Sequence, residues 1–217
     1  MKCNYFNFIF IDICKTAGTS INASFRNAFP NIEFEGKHHS IPNYTALGFI
    51  AKNKSTCSAI NDKMIKEYST FSVIRNPWDR IVSLYLWGSK RNQKDIEKLE
   101  IWWSGLSFSE FVYSLNDCDH SEYNGHRYTT QLEWISNQNG DVVVNHLLMY
   151  ENLQHDFFDL LIKLNIPHFN LMRLNIAKNK SGIGRQHYSS YYNDDTKGII
   201  SQKYARDIEY FGYKFGE

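Results

Sequence analysis

The chain has almost no charge of either sign to spare. Twenty-four Lys and Arg face 23 Asp and Glu, for a formal net charge of +1. No global field therefore recommends nucleic acid or an anionic membrane as partner, and any anion site must be local. Cysteine is sparse and unpatterned: Cys3, Cys14, Cys57 and Cys118 make no C-x-x-C pair and no zinc-like cluster, which points to free thiols in a reducing compartment. No apolar run approaches a membrane-spanning length. The apolar start is interrupted by Asn4, Asn7 and Asp12 with no small-residue cleavage site, so no signal peptide is read. No H-E-x-x-H pattern unites His120, His126, His146, His155, His168 and His187, so no metal is expected. Repeats, low-complexity tracts and linkers are missing too. The expectation is one soluble, cytoplasmic domain over residues 1–217.

Aromatic residues, by contrast, are plentiful at 16%. They read equally as core side chains and as the lining of a cleft for a ring-bearing or sugar ligand.

The hydropathy pattern alternates strands with helices. Tyr5 to Ile11 is nearly all apolar, as in a strand buried on both faces. From Thr19, the residues Ile21, Phe25 and Ala28 recur at helical spacing until Pro30. Ile32 to Glu35 alternates like a short strand, and Gly36 to Ser40 reads as a polar turn. Ile60, Met64 and Tyr68 suggest a helix, and Thr70 to Ile74 a strand. Pro77 opens a helix whose apolar stripe is Trp78, Ile81, Val82, Tyr85 and Leu86. A helix is expected around Phe108 to Leu115, a strand within Asp141 to Tyr150, and a helix from Leu153 to Leu164 stopped at Asn165-Ile166-Pro167. A final helix, capped by Asp194 or Asp195, ends at Gly212. This order predicts an α/β, P-loop-like three-layer fold with a mainly parallel central sheet flanked by helices.

Two stretches carry chemistry. The first strand runs into Asp12-Ile13-Cys14-Lys15-Thr16-Ala17-Gly18-Thr19-Ser20, the pattern of an anion-binding turn at a helix N-terminus. A nucleoside triphosphatase would carry G-x-x-x-x-G-K-[ST], but no glycine precedes Lys15 here. The second is Arg75-Asn76-Pro77-Trp78-Asp79-Arg80-Ile81-Val82-Ser83. Arg75 falls at the carboxyl end of a predicted parallel strand, where such sheets bind ligands and a guanidinium can clamp a phosphate. Each also has a plain reading: a capped helix with a stray Lys, and an Arg75 paired with a carboxylate such as Asp79. Cys14, beside Lys15, is read as core packing ahead of a reactive thiol.

Together the two stretches resemble the sulfotransferase superfamily, most closely the branch that includes carbohydrate sulfotransferases. The likeness continues in Gln131-Leu132-Glu133-Trp134, Tyr150-Glu151-Asn152-Leu153, Tyr191 to Thr196 and Tyr204 to Glu209. It implies 3′-phosphoadenosine 5′-phosphosulfate (PAPS) as sulfuryl donor. Lys15, Thr16, Ala17, Gly18, Thr19 and Ser20 would cradle the 5′-phosphosulfate, and Arg75 and Ser83 would bind the 3′-phosphate. Lys180, Ser181 and Arg185 would form a second nucleotide-side element. The family's His-x-Pro before the Lys is here Asp12-Ile13-Cys14, so Asp12 is expected to point away or to pair with a basic residue. The implied acceptor is a hydroxyl, of a glycan or glycolipid, and a base near neutral pKa would assist it. Lys37-His38 resembles the family's basic turn with a catalytic His, favouring His38 over His39. Residues 40–68, the 90–130 stretch with Trp102 and Trp103, and Tyr188 to Tyr192 are left for the acceptor. Two other readings stay open: an ATP-dependent P-loop small-molecule kinase, and a non-catalytic nucleotide-binding protein. Oligomeric state is left open.

Overall fold

The computed structural model of the chain describes residues 1–36, 38–40, 57–59, 62–89, 94, 101–117, 127–174 and 185–217, with 38–40, 57–59, 62, 116 and 117 described as backbone only. Two compact units emerge: Met1–Arg75 with Gln131–Asn175, and Asn76–Thr130 with Ile176–Glu217.

The first unit is built on a sheet. Numbered in chain order, its strands are β1 (Lys2–Cys3), β2 (Phe8–Ile11), β3 (His38–Ser40), β4 (Cys57–Ala59), β5 (Ser69–Ile74) and β6 (His146–Met149). Four of them form one sheet in the order β1-β2-β5-β6, while β3 and β4 form a separate parallel pair. Only β1 runs antiparallel; β2 pairs with β5 and β5 with β6 in parallel. Phe8, Ile9, Phe10 and Ile11 are all fully buried, the two-sided burial expected of a parallel strand. Helix α1 (Gly18–Ala28) and the Leu153–Lys163 helix pack on the sheet through one core. Phe25 meets Phe8, Phe71 and Phe157 at ring separations of 4.8, 6.4 and 5.7 Å.

The second unit is helical: Pro77–Ser89, Phe108–Asp117, Asp194–Lys203 and Ala205–Phe211. Its core is aromatic. Trp103 is fully buried among Trp102, Phe111 and Tyr128 and donates from Nε1 to Tyr85 O at 3.3 Å. A Cβ at Gly88 would run into that indole, so glycine leaves the slot that Trp103 fills. Trp103 is thus core rather than a sugar platform, and Trp102, half-buried, donates to Tyr128 Oη at 3.1 Å.

Several elements differ from the sequence expectation. The strand expected from Tyr5 begins only at Phe8. Asn7 adopts a left-handed φ of 53° and its side chain donates to Glu67 O, so residues 4–7 turn and Tyr5 is 75% exposed. Ile32 to Glu35 contributes one bridge, Lys2 to Glu35, because Ile32 N is already bonded to Phe29 O. Asp141 to Tyr150 is strand only at His146–Met149; before it, Asn137 Oδ1 accepts from Asn139 N and Asp141 N and bends the chain. The cap of the Asp194–Lys203 helix is Asn193, in a reciprocal box with Thr196, while Asp194 and Asp195 occupy the first turn. That helix ends at Lys203, and a second starts at Ala205, around a fully buried Tyr204 whose hydroxyl donates to Tyr128 O at 2.7 Å.

Candidate active site

Because β2, β5 and β6 are parallel and in register, their carboxyl ends share one edge of the sheet. Three segments leave from it: the turn Asp12–Ala17, Arg75, and the single 3₁₀ turn Tyr150–Asn152.

The turn is shaped by main chain. Lys15 and Ala17 both take left-handed φ values, 70° and 75°, each costing a non-glycine residue about 1 kcal/mol or more. Two contacts hold them there. Thr16, fully buried, donates from Oγ1 to Ile13 O at 2.9 Å, and Arg75 donates from Nη1 to Lys15 O at 2.9 Å. Helix α1 then starts with Ala17 as N-cap, no side-chain cap bond and no acid in its first turn. A helix start of this kind presents N–H groups and the positive dipole end to an anion.

Asp12 contests that position. Only 5% exposed, its carboxylate lies so close to Gly18 that a Cβ there would collide with it. Asn22 Nδ2 reaches Asp12 Oδ2 at 3.4 Å and Gly18 O at 2.8 Å. The carboxylate therefore turns toward the helix start rather than away from it.

The hydroxyls of the loop are largely structural. Thr16 bonds within the turn, and Ser20 Oγ accepts from Leu174 N at 3.2 Å. Next to it, Ser24 Oγ accepts from Met172 N and donates to Ser20 O, both at 2.7 Å. Ser20 and Ser24 thus tie residues 172–174 to α1. Thr19 is exposed.

Arg75 is 5% exposed. Its guanidinium lies over the Tyr150 ring, 3.9 Å from the centroid, while bonding Lys15 O. Its main chain is gripped by Gln131, whose Oε1 accepts from Arg75 N at 2.9 Å and whose Nε2 donates to Arg75 O at 2.8 Å. Gln131 and Tyr150 were not singled out as site residues by the sequence. Both stand in the motif quartets, but their partner is far away in the chain.

Within the second unit, Asn76 Oδ1 caps the Pro77–Ser89 helix by accepting from Trp78 N and Asp79 N at 3.1 and 3.4 Å. Ser83 is half-buried on that helix, off its buried stripe. Asp79 forms an ion pair with Arg185, which anchors Arg185 to the Pro77–Ser89 helix. Arg80, 1% exposed, donates to Thr129 O and Arg127 O at 3.0 and 3.2 Å. Tyr192 Oη donates to Trp78 O at 2.9 Å, and burial pushes its pKa well above the usual tyrosine value.

His38 and His39 fall in β3 rather than in a turn, paired with Cys57 and Ser58. Parallel pairing with β4 draws them into a ladder, a long-range effect invisible in local composition. Lys37, Lys180 and Ser181 lie outside the described residues. Among the described residues no group of three or more His, Cys, Asp and Glu is placed to hold a metal, and no helix is long and apolar enough to cross a membrane.

A profile of the sulfotransferase family matches residues 2–214. An uncharacterised protein of Archaeoglobus fulgidus is 32% identical over 118 residues, 54% of this chain and 85% of that protein. Among solved structures, mouse sulfotransferase SULT7A1 complexed with PAP is similar in fold, with a TM-score of 0.51, 14% identity, and coverage of 96% of this chain and 86% of that one. A sulfotransferase from Alicyclobacillus acidocaldarius gives a TM-score of 0.48 at 10% identity, covering 96% of each chain.

Proposed function

The chain belongs to the sulfotransferase family, and from that premise we propose that it moves a sulfuryl group from PAPS to an acceptor hydroxyl, on a glycan or glycolipid. The observation that carries this is the Lys15 turn. Left-handed at Lys15 and Ala17, it opens into a helix start with no side-chain cap, and Arg75 bonds its carbonyl. A donor with a phosphosulfate end fits such a turn, because backbone N–H groups and one ammonium suit a compact anion better than they suit any neutral group. PAP, which the mouse neighbour holds, is the desulfated form of this donor.

When bound, PAPS supplies an activated sulfuryl group on a phosphate leaving group. Lys15 and the first N–H groups of α1 stabilise charge at the leaving oxygen by fixed electrostatics. Arg75 and Ser83 are assigned to the 3′-phosphate, with Lys180, Ser181 and Arg185 as a further nucleotide-side element. The base that takes the acceptor proton is assigned to His38, with His39 as its alternate. Residues 1–217 act as one catalytic domain in this reading, and the cytoplasm is its assigned place.

Thermal shift tests it. Stabilisation by 3′,5′-diphosphoadenosine without added metal is expected, since a ligand that binds only the native state raises apparent stability. Replacing His38 with Ala should keep that shift and abolish turnover of labelled PAPS. A response to ATP–Mg²⁺ with none to the diphosphoadenosine sinks the donor assignment and makes the protein a kinase candidate. A diphosphoadenosine shift without sulfuryl transfer to any hydroxyl makes it a non-catalytic binder.

A further inference from the structure

β5 ends at Ile74, its last residue in register with β6, and its ladder with β2 ends two residues earlier, at Ser72. Arg75 is therefore the first residue of this chain segment beyond both neighbours. A buried main chain at that point needs a donor and an acceptor from elsewhere. Gln131 supplies both with one side chain, fully buried, at 2.9 and 2.8 Å. A primary amide is the side-chain group that can imitate a peptide unit in this way, accepting through oxygen and donating through nitrogen at one tip.

The consequence reaches the donor loop. Arg75, gripped by its main chain, uses Nη1 to hold Lys15 O, and Lys15 is one of the two left-handed residues that shape the turn. We propose that Gln131 is a positioning residue of the donor site: by fixing the Arg75 main chain it fixes the guanidinium, and the guanidinium fixes the Lys15 turn. This inference rests on reading the Lys15 turn as the site of a 3′,5′-phosphorylated nucleotide. It assigns Gln131 no contact with that nucleotide.

Calorimetric titration of the full chain with 3′,5′-diphosphoadenosine tests it. Gln131→Met keeps the volume and removes both bonds, and should weaken binding about tenfold. In a cycle with Arg75→Ala the two losses should not multiply, because both act through one guanidinium. Wild-type affinity in Gln131→Met, or full multiplication of the two losses, overturns the proposal and leaves Gln131 a filler of the strand end. Should Gln131→Met fail to fold, Gln131→Glu carries the test. Its carboxylate cannot donate to Arg75 O until protonated, and burial raises its pKa. Its affinity, relative to wild type at each pH, should therefore recover as pH falls, and a flat ratio overturns the proposal. No binding by the wild type removes the donor reading and this inference together.

Discussion

Between Asp12 and Ser20 the shape comes from main chain, with two left-handed residues, a glycine that a carboxylate overlies, and hydroxyls turned to backbone partners. Between Asn76 and Ser83 it comes from side chains. There an amide caps the helix, Asp79 pairs with Arg185, and Arg80 holds the carbonyls of residues 127 and 129. The first kind of construction fails when volume or charge is added. The second fails when a side chain is removed. The contrast predicts which substitutions each stretch will resist.

The largest effect should come from Arg80→Ala. It deletes two charge-assisted bonds and leaves a buried gap, and should cost about 3 kcal/mol in urea unfolding. The folded variant should bind 3′,5′-diphosphoadenosine as the wild type does. A drop in that affinity would break the contrast, since Arg80 would then hold Ser83, on the same helix, in place for the nucleotide.

Gly18→Ala should come next, costing about 1–3 kcal/mol from the forced contact with Asp12. Here nucleotide affinity should fall together with stability, because the displaced group sits at the start of α1. A loss of stability with affinity intact would mean that the loop relaxes independently of its anion site.

The smallest effect is also the most diagnostic. Asp12→Asn keeps the shape and the Asn22 contact but removes a negative charge beside the helix start. Diphosphoadenosine affinity should rise, about threefold at low salt and less at high salt. Unchanged or weaker binding at both salt levels would make Asp12 an organiser of the turn rather than a rival of the ligand.

Much of this molecule could be read from its sequence wherever the signal was local. The buried strands at Phe8 and Ser69, the helix after Pro77, and the stop at Asn165, which adopts φ 52°, all follow from composition within a few residues. The Lys15 and Arg75 stretches were legible because strand, turn and helix follow one another without interruption. What escaped were partners chosen across the fold. The Ser20 hydroxyl accepts from Leu174 N, 154 residues away, and Asp79 pairs with Arg185, 106 residues away. Gln131 reads locally as an unremarkable residue opening the short Gln131–Ile135 helix. Only a strand end 56 residues away gives its amide a purpose.

That amide also has a topological meaning. The chain leaves the sheet-bearing unit after Arg75 and returns to it at Gln131. The two bonds of the clamp therefore join the point of exit to the point of re-entry. Residues 76–130, which share their unit with residues 176–217, thus leave and rejoin the sheet-bearing unit's chain at one clamp. The clamp fixes those two chain ends to each other through the Arg75 main chain. The strand end that carries Arg75 is therefore held by the residue at which the chain comes back, so one side chain closes the segment and positions the guanidinium together.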